Sequence, residues 1–145
     1  MPEVLQSVSR TEATALSDDA ERSTEARRIL GASSIIGVDC GNSQAKAEAA
    51  LAAGVDYVVF SQFFARKNAA GAADLSLLAW WSTRTELPAV ATGNVTGMHA
   101  AEMTAAGAGF IAPGNWVWNY SKGPKQAIYW LQEVIEHGLT KSKMN

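Results

Sequence analysis

LPAVATGNVT, at residues 87–96, joins a short apolar run to a glycine turn and then to the start of a helix. The apolar run lacks polar alternation, which is typical of a strand in a parallel sheet that is covered on both faces. Pro88 prevents the preceding helix from continuing, whereas Thr96 can open the helix that follows. The stretch therefore predicts a β-strand over Leu87–Thr92, followed by a turn and a helix.

Similar apolar runs predict strands over Ser34–Asp39, Asp56–Gln62 and Gly109–Ala112, with a weaker strand near Ala13–Leu16. Helical patterns of roughly 10–15 residues separate these runs, and such alternation is typical of parallel βαβ units. The predicted helices run from Asp18 or Asp19 to Leu30, from Asn42 or Ser43 to Gly54, from Asp74 to Thr85, from Thr96 to Gly107, and from Gly123-Pro124 to His137-Gly138.

An internal repeat accompanies this alternation. Ala52-Ala53-Gly54 recurs as Ala105-Ala106-Gly107, 53 positions later (105 minus 52), and Gly41-Asn42 recurs as Gly93-Asn94, 52 positions later (93 minus 41). Two βα units of about 25 residues per repeat is the spacing of a (β/α) barrel. The alternative explanation is that Ala-Ala-Gly simply ends many helices.

Four clear strands, or five with the weaker one, are too few for the eight strands of a closed barrel. We therefore predict an α/β fold, namely a parallel (β/α) barrel of the TIM type that is incomplete, with about five βα units. This domain is expected over residues 13–138, between an irregular segment at 1–12 and a C-terminal tail at 139–145. The alternatives are an open flavodoxin-like sheet, a half-barrel that completes itself by association, and a fragment of a longer protein.

The composition is that of an ordinary globular protein, with 48% apolar and 18% charged residues and a net charge of -2. No Lys/Arg cluster is longer than Arg27-Arg28, which argues against a nucleic-acid partner. The apolar runs are far shorter than the roughly 18 residues of a membrane span, and residues 1–10 lack a secretory signal pattern. The single cysteine, Cys40, excludes an internal disulfide and indicates a reducing compartment, so we expect a cytoplasmic protein.

Two glycine turns follow neighbouring predicted strands, at the strand ends where ligands bind in parallel α/β proteins. Gly93-Asn94 precedes the helix that begins near Thr96, and Gly114-Asn115 follows the next strand. Glycine lets the backbone approach a ligand closely, and N–H groups at a helix start bind anions. We predict a phosphate site formed by Gly93, Asn94, Gly114 and Asn115. The alternative is that these glycines only terminate strands.

Other polar residues near predicted strand ends are candidates for catalysis or metal binding. Asp39 ends an apolar strand, where an unpaired buried carboxylate would be costly. Lys67 lies in a loop of small residues, where it is either a point charge for a diphosphate or a solvated surface group. Asp18 and Asp19 are a candidate Mg²⁺ pair, although a helix N-cap explains them equally well. Cys40 is expected to be inert because the neighbouring carboxylate raises the pKa of its thiol.

Five stretches of the chain carry a family resemblance. They are residues 26–31, 35–38, 53–58, 88–96 and 106–112. In this order they resemble the latter five βα units of the thiamine phosphate synthase family, whose relatives include thiazole tautomerases. The likeness covers about residues 13–138, and it implies that an N-terminal third has been lost or was never present.

Members of that family are (β/α)₈ barrels that join hydroxymethylpyrimidine diphosphate to thiazole phosphate, releasing pyrophosphate with Mg²⁺. The resemblance thus implies a transferase of thiamine biosynthesis with two small phosphorylated substrates. By the same likeness, Gly93 and Asn94 match the turn that holds the thiazole phosphate, and Gly114 and Asn115 match the second phosphate loop. Lys67 matches a lysine that contacts pyrophosphate.

The remaining matches are looser. Asp39 stands where the family usually has a serine near the pyrimidine, and Asp18 or Asp19 falls near a metal-binding aspartate. The family's glutamine-x-arginine-x-lysine diphosphate motif has no counterpart in the chain, and residues 63–66 lack the usual threonines. Two other hypotheses therefore stay open. One is a non-catalytic half-barrel that binds a phosphate ligand, and the other is an assembly module whose open sheet edge pairs with another chain, including a homo-oligomer.

Overall fold

The computed structural model describes residues 13–17, 20–64 and 74–144. All five predicted strands are present, each within two residues of its predicted bounds. The strands are β1 (Ala13–Ser17), β2 (Ile35–Asp39), β3 (Tyr57–Phe63), β4 (Ala89–Gly93) and β5 (Phe110–Ala112), and the helices are α1 (Ala20–Leu30), α2 (Gln44–Ala52), α3 (Ser76–Arg84), α4 (Gly97–Ala105), α5 (Asn115–Trp118) and α6 (Pro124–Met144).

The strands form one parallel sheet in the order β1-β2-β3-β4-β5. Each strand lies beside the next one along the chain because a helix carries the chain back between them. This arrangement confirms the α/β class and the βαβ pattern. Among the described strands the sheet is open, with β1 and β5 at its edges. All five strands therefore direct their carboxyl ends to the same edge of the sheet.

The main core lies between one face of this sheet and the helices. Trp81 of α3 is 1% exposed, packs edge-on against Phe60 with ring centroids 5.9 Å apart, and donates its Nε1–H to the Leu87 carbonyl at 2.8 Å. Burying the indole with its N–H satisfied avoids the penalty of an unpaired polar group. Trp81 is therefore a packing residue of this core.

The other face of the sheet is uncovered by the described residues. Apolar side chains line a cavity of about 840 Å³ along it, and Phe110 and Ile35 are 62% and 46% exposed. We call this surface the open face, defined by Ile35, Tyr57, Val59, Val90 and Phe110. The expectation that the strands are covered on both faces is thus wrong for the described part of the chain, where the helices cover only one.

The internal repeat has a structural counterpart. Gly54 and Gly107 end α2 and α4 with φ of 75° and 112°. The N–H of each glycine donates to the carbonyl three residues earlier, at 3.1 Å, and the next N–H donates to the carbonyl five residues earlier. Both helices thus end in the same glycine-dependent motif, which requires a left-handed residue.

The last helix departs from its prediction. α6 was expected to end at His137-Gly138, but it continues to Met144. A glycine inside a helix costs only about 1 kcal/mol relative to alanine, so Gly138 alone does not end it. The proposed tail boundary at 139 therefore falls inside α6. The short helix α5 was not predicted. None of the described helices combines the length and apolarity that a membrane crossing requires.

Candidate functional site

A pocket of about 380 Å³ lies where β4 and β5 end and α4 and α5 begin. Gly93 and Asn94 line it from the first predicted turn, and Asn115 lines it from the second. Gly114 sits between Asn115 and Pro113, another lining residue. The structure therefore brings the two predicted turns together at one cavity. The polar side chains around it are Asn94, Thr96, Asn115, Asn119, Tyr120 and Ser121.

Gly93 is required by the close approach of β4 to β3. Its φ is 143°, and a Cβ atom there would lie 2.4 Å from the carbonyl oxygen of Phe63 and 2.6 Å from its nitrogen. The same Phe63 carbonyl accepts the Asn94 N–H at 3.0 Å. The backbone N–H of Asn94 therefore already has a hydrogen-bond acceptor within the protein. A ligand in the pocket would meet the Asn94 side chain instead.

Thr96 and His99 organise the beginning of α4. Thr96 is the N-cap residue, and its N–H donates to Nδ1 of His99 at 3.2 Å. His99 in turn donates its backbone N–H to the Thr96 carbonyl at 3.1 Å. The earliest N–H groups of a helix have no partner inside it, and they give the helix start a partial positive charge. This end of α4 adjoins the pocket through Thr96.

Aromatic side chains form the other side of the pocket. Trp116 lies 5.0 Å from Tyr120 and 5.6 Å from Trp130, measured between ring centroids. α4 packs directly on these rings, since a Cβ at Gly97 would lie 1.8 Å from Trp130 and 2.8 Å from Trp116. Gly97 therefore permits the close contact of α4 with Trp116, which lines the pocket, and with Trp130 of α6.

The residues that line this pocket are all neutral. A phosphate there would be held by amide and hydroxyl donors and by the positive end of α4, not by a lining lysine or arginine. A positively charged side chain that neutralises the phosphate must come from residues that do not line the pocket. The arrangement suits one end of a small phosphorylated ligand, with the aromatic side chains available for ring contact.

Asp39 lies at the same edge of the sheet, on β2, but it does not line the pocket. Its Oδ1 accepts the Gly41 N–H at 2.9 Å and the Ser61 hydroxyl at 3.3 Å. These donors explain how a half-buried carboxylate is tolerated at a strand end. Both of these bonds between described residues involve Oδ1.

The carboxyl end of β3 has features that the sequence did not predict. The pairing of β3 with β4 shifts register between Phe60 and Phe63, and Gln62 and Phe64 have φ of 67° and 53°. A residue other than glycine in this left-handed region costs about 1–3 kcal/mol, and such strain concentrates near functional sites. The Phe64 ring stacks on His99, with centroids 3.6 Å apart and planes at 7°. Thr96 and His99 have the spacing of a capping box, and this is the sequence signal that could have directed attention to this corner.

Cys40 is buried in the core beside Asp39. Burial raises the pKa of its thiol to about 12, and the Asp39 carboxylate adds to this rise. The thiolate needed for nucleophilic chemistry is therefore scarce at neutral pH. The predicted inertness of Cys40 agrees with this pKa.

Three predicted site residues, Lys67, Asp18 and Asp19, lie outside the described residues. Within residues 20–64 and 74–144, no group of three or more His, Cys, Asp or Glu side chains is arranged to hold a metal ion. Among the polar residues at the carboxyl ends of the described strands, Asp39 is the one with a carboxylate. The roles predicted for all four acidic and basic residues stay predictions.

Comparison with known proteins gives consistent relatives. A family model described as thiamine monophosphate synthase matches residues 11–115, a range that includes both turns. The thiamine-phosphate synthase of Rhodospirillum centenum is 42% identical over 106 residues, covering 72% of this chain and 51% of that protein. The thiamine-phosphate synthase of Hyphomonas neptunium is 40% identical over 113 residues, covering 77% of this chain and 51% of that protein.

In structure, the chain is similar to the thiamine phosphate pyrophosphorylase from Pyrococcus furiosus, with a TM-score of 0.77. The two proteins are 23% identical, and the match covers 89% of this chain and 61% of the Pyrococcus furiosus chain. At this identity the similarity supports the fold and not the function. The chain spans about half the length of the curated relatives it matches.

Proposed function

The chain belongs to the thiamine monophosphate synthase family, and from this premise we propose that its pocket binds the phosphate end of thiazole phosphate in a transferase site of thiamine biosynthesis. The pocket's volume of about 380 Å³ suits part of a small ligand rather than a macromolecule. Its two glycine turns and the positive end of α4 favour an anion.

The proposed reaction joins the thiazole phosphate to hydroxymethylpyrimidine diphosphate. The bond between the pyrimidine methylene carbon and the diphosphate oxygen breaks, and pyrophosphate leaves with the electron pair. The thiazole ring nitrogen then donates its lone pair to that carbon and forms the new C–N bond. Such a step depends chiefly on positioning the two substrates and on neutralising the leaving diphosphate.

The residues of this chain divide those tasks in the proposal. The Asn94 and Asn115 side chains orient the thiazole phosphate, and Asp39 accepts a hydrogen bond from the pyrimidine amino group through Oδ2. Lys67 neutralises pyrophosphate. Mg²⁺, where bound, would offset the diphosphate charge, with Asp18 and Asp19 as the proposed ligands. Mg²⁺ is often held by one or two carboxylates together with substrate phosphates, and Asp18 and Asp19 supply two carboxylates.

The convergence of Gly93-Asn94 and Asn115 on one cavity is the observation that carries this proposal. Titration calorimetry of the full chain with thiazole phosphate tests it. We expect saturable binding, and we expect Asn94→Ala and Asn115→Ala each to weaken it about tenfold, since each removes a hydrogen bond to a charged group.

Gln132→Ala is the matched control, because Gln132 is an exposed amide on α6 away from the pocket. Its affinity should equal that of the unchanged chain. Absence of both binding heat and thermal stabilisation by thiazole phosphate would remove the basis for the proposal. Equal losses in all three variants would show that the effect is not specific to the pocket.

We also propose that the sheet is an incomplete barrel of the TIM type and that the protein is cytoplasmic. The sequential parallel strand order and the single buried cysteine support these two proposals. A second candidate function, an assembly module, is favoured by the apolar open face. In that case association with another chain, including a second copy, would precede or replace catalysis.

A further inference from the structure

The ring of His99 connects two elements that border the pocket. One side of the imidazole stacks on Phe64, at the carboxyl end of β3, with a centroid separation of 3.6 Å. Its Nδ1 lies 3.2 Å from both the backbone nitrogen and the hydroxyl of Thr96, in the first turn of α4. His99 is half-buried, and it is not among the residues that line the pocket. Any effect of His99 on a ligand must therefore pass through its neighbours.

The hydrogen bond between the Thr96 N–H and His99 determines which ring nitrogen of His99 carries the proton. The Thr96 backbone N–H is a donor, so Nδ1 must act as the acceptor and carry no proton. In the neutral imidazole the proton then resides on Nε2.

The backbone supplies a second connection at the same corner. Phe63, the residue before Phe64, accepts the Asn94 N–H and contacts Gly93 so closely that no side chain fits there. Only Val95, which is buried, separates Asn94 from Thr96. The lining segment from Asn94 to Thr96 is therefore held at one end by the β3 backbone and at the other by His99.

We propose that His99 is a positioning residue: by joining Phe64 to Thr96 it fixes the Asn94–Thr96 segment against the pocket. This inference rests on the proposed function only where it concerns ligand affinity. The strained conformation of Phe64 fits the same role, because a left-handed residue at this point turns its ring onto His99.

The first experiment needs no ligand. Long-range ¹H–¹⁵N NMR of the full chain should show Nδ1 of His99 unprotonated, and ring-current shifts on the His99 protons should disappear in Phe64→Leu. The Thr96 amide should exchange with solvent about tenfold faster in His99→Ala, since its acceptor is gone. A proton on Nδ1, or unchanged Thr96 exchange in His99→Ala, would overturn the proposal.

The second experiment measures thiazole phosphate affinity by calorimetry. His99→Ala, which removes both connections, should weaken binding about tenfold. Phe64→Leu, which removes only the stacking, and His99→Asn, whose side-chain oxygen can still accept the Thr96 N–H, should each weaken it about threefold. Trp81→Phe is the control for general destabilisation, because it removes the bond to Leu87 in the core, and its affinity should not change.

The two proposals fail in different ways. If the unchanged chain does not bind thiazole phosphate, the proposed function is wrong, while the tautomer and the Thr96 exchange still decide the role of His99. If the unchanged chain binds but His99→Ala binds equally well, or Trp81→Phe loses as much affinity as His99→Ala, the positioning role is wrong and the proposed function stands.

Discussion

Glycine is required at position 93 by the neighbouring backbone as well as by the local conformation. A Cβ atom at this position would overlap the backbone of Phe63. We expect Gly93→Ala to lower the free energy of unfolding by about 2–3 kcal/mol, because overpacking adds to the cost of a left-handed alanine. Urea unfolding followed by circular dichroism measures this loss.

Gly31 offers a matched control for that substitution. It also has a positive φ, 88°, but a Cβ there would meet nothing within 4 Å. Gly31→Ala should therefore cost only the conformational part, about 1–2 kcal/mol, and should leave the pocket intact. If the two variants lost the same stability, the clash with Phe63 would not be what requires glycine at position 93.

The residues of the site were predicted unevenly, for identifiable reasons. Gly93 and Gly114 could be predicted because glycine marks a turn at a strand end in the sequence itself. Gln62 and Phe64 could not, since their left-handed backbone is imposed by the register shift in β3 and leaves no residue pattern. Asp39 could be singled out because a charged residue ends an apolar strand, but its donors at Gly41 and Ser61 depend on tertiary placement.

At the scale of elements, the apolar runs predicted the strands to within two residues, because each strand is buried on its helix side. Helix ends were harder. Gly54 and Gly107 end their helices through specific backbone hydrogen bonds, whereas Gly138 lies within a helix that continues. A glycine alone does not distinguish these cases, since the ending depends on whether the following residues can make the capping bonds.

Asp56 joins three elements at the amino end of the sheet, away from the pocket. Its Oδ2 accepts the Ile36 N–H at 2.7 Å and an Arg27 guanidinium N–H at 2.6 Å, which ties β3 to β2 and α1. Asp56→Ala should lower the free energy of unfolding by about 1–2 kcal/mol, because it leaves the Ile36 N–H without its acceptor. Thiazole phosphate affinity should be unchanged, since Asp56 lies at the opposite end of the strands from the pocket and does not line it.

Glu25→Ala is the comparison for Asp56→Ala, because it breaks an exposed ion pair with Arg28 on α1 alone. Its urea midpoint should barely move, as exposed pairs contribute little. A loss of ligand affinity in Asp56→Ala, or equal destabilisation by both variants, would contradict a purely structural role for Asp56.

For the molecule as a whole, the apolar character of the strands is related to the open face. Strands that are apolar on both sides indicate a sheet covered on both faces, yet the described helices cover only one. The sequence therefore predicted the strands correctly and their environment only in part. The curated relatives are about twice as long as the region they share with this chain. The described residues leave the open face exposed, and no pattern within the strands specifies what would cover it.

The open face leads to a prediction about association. An exposed apolar surface and two strand edges that no described strand pairs with favour contact with another chain. We expect sedimentation velocity to show concentration-dependent association, and Phe110→Glu to raise the dissociation constant about tenfold or more by placing a charge on the open face. Ile128→Glu is the control, since Ile128 is similarly exposed but lies on α6. A compact monomer at every concentration, with no binding of an apolar fluorescent dye, would show that the face is already covered in solution.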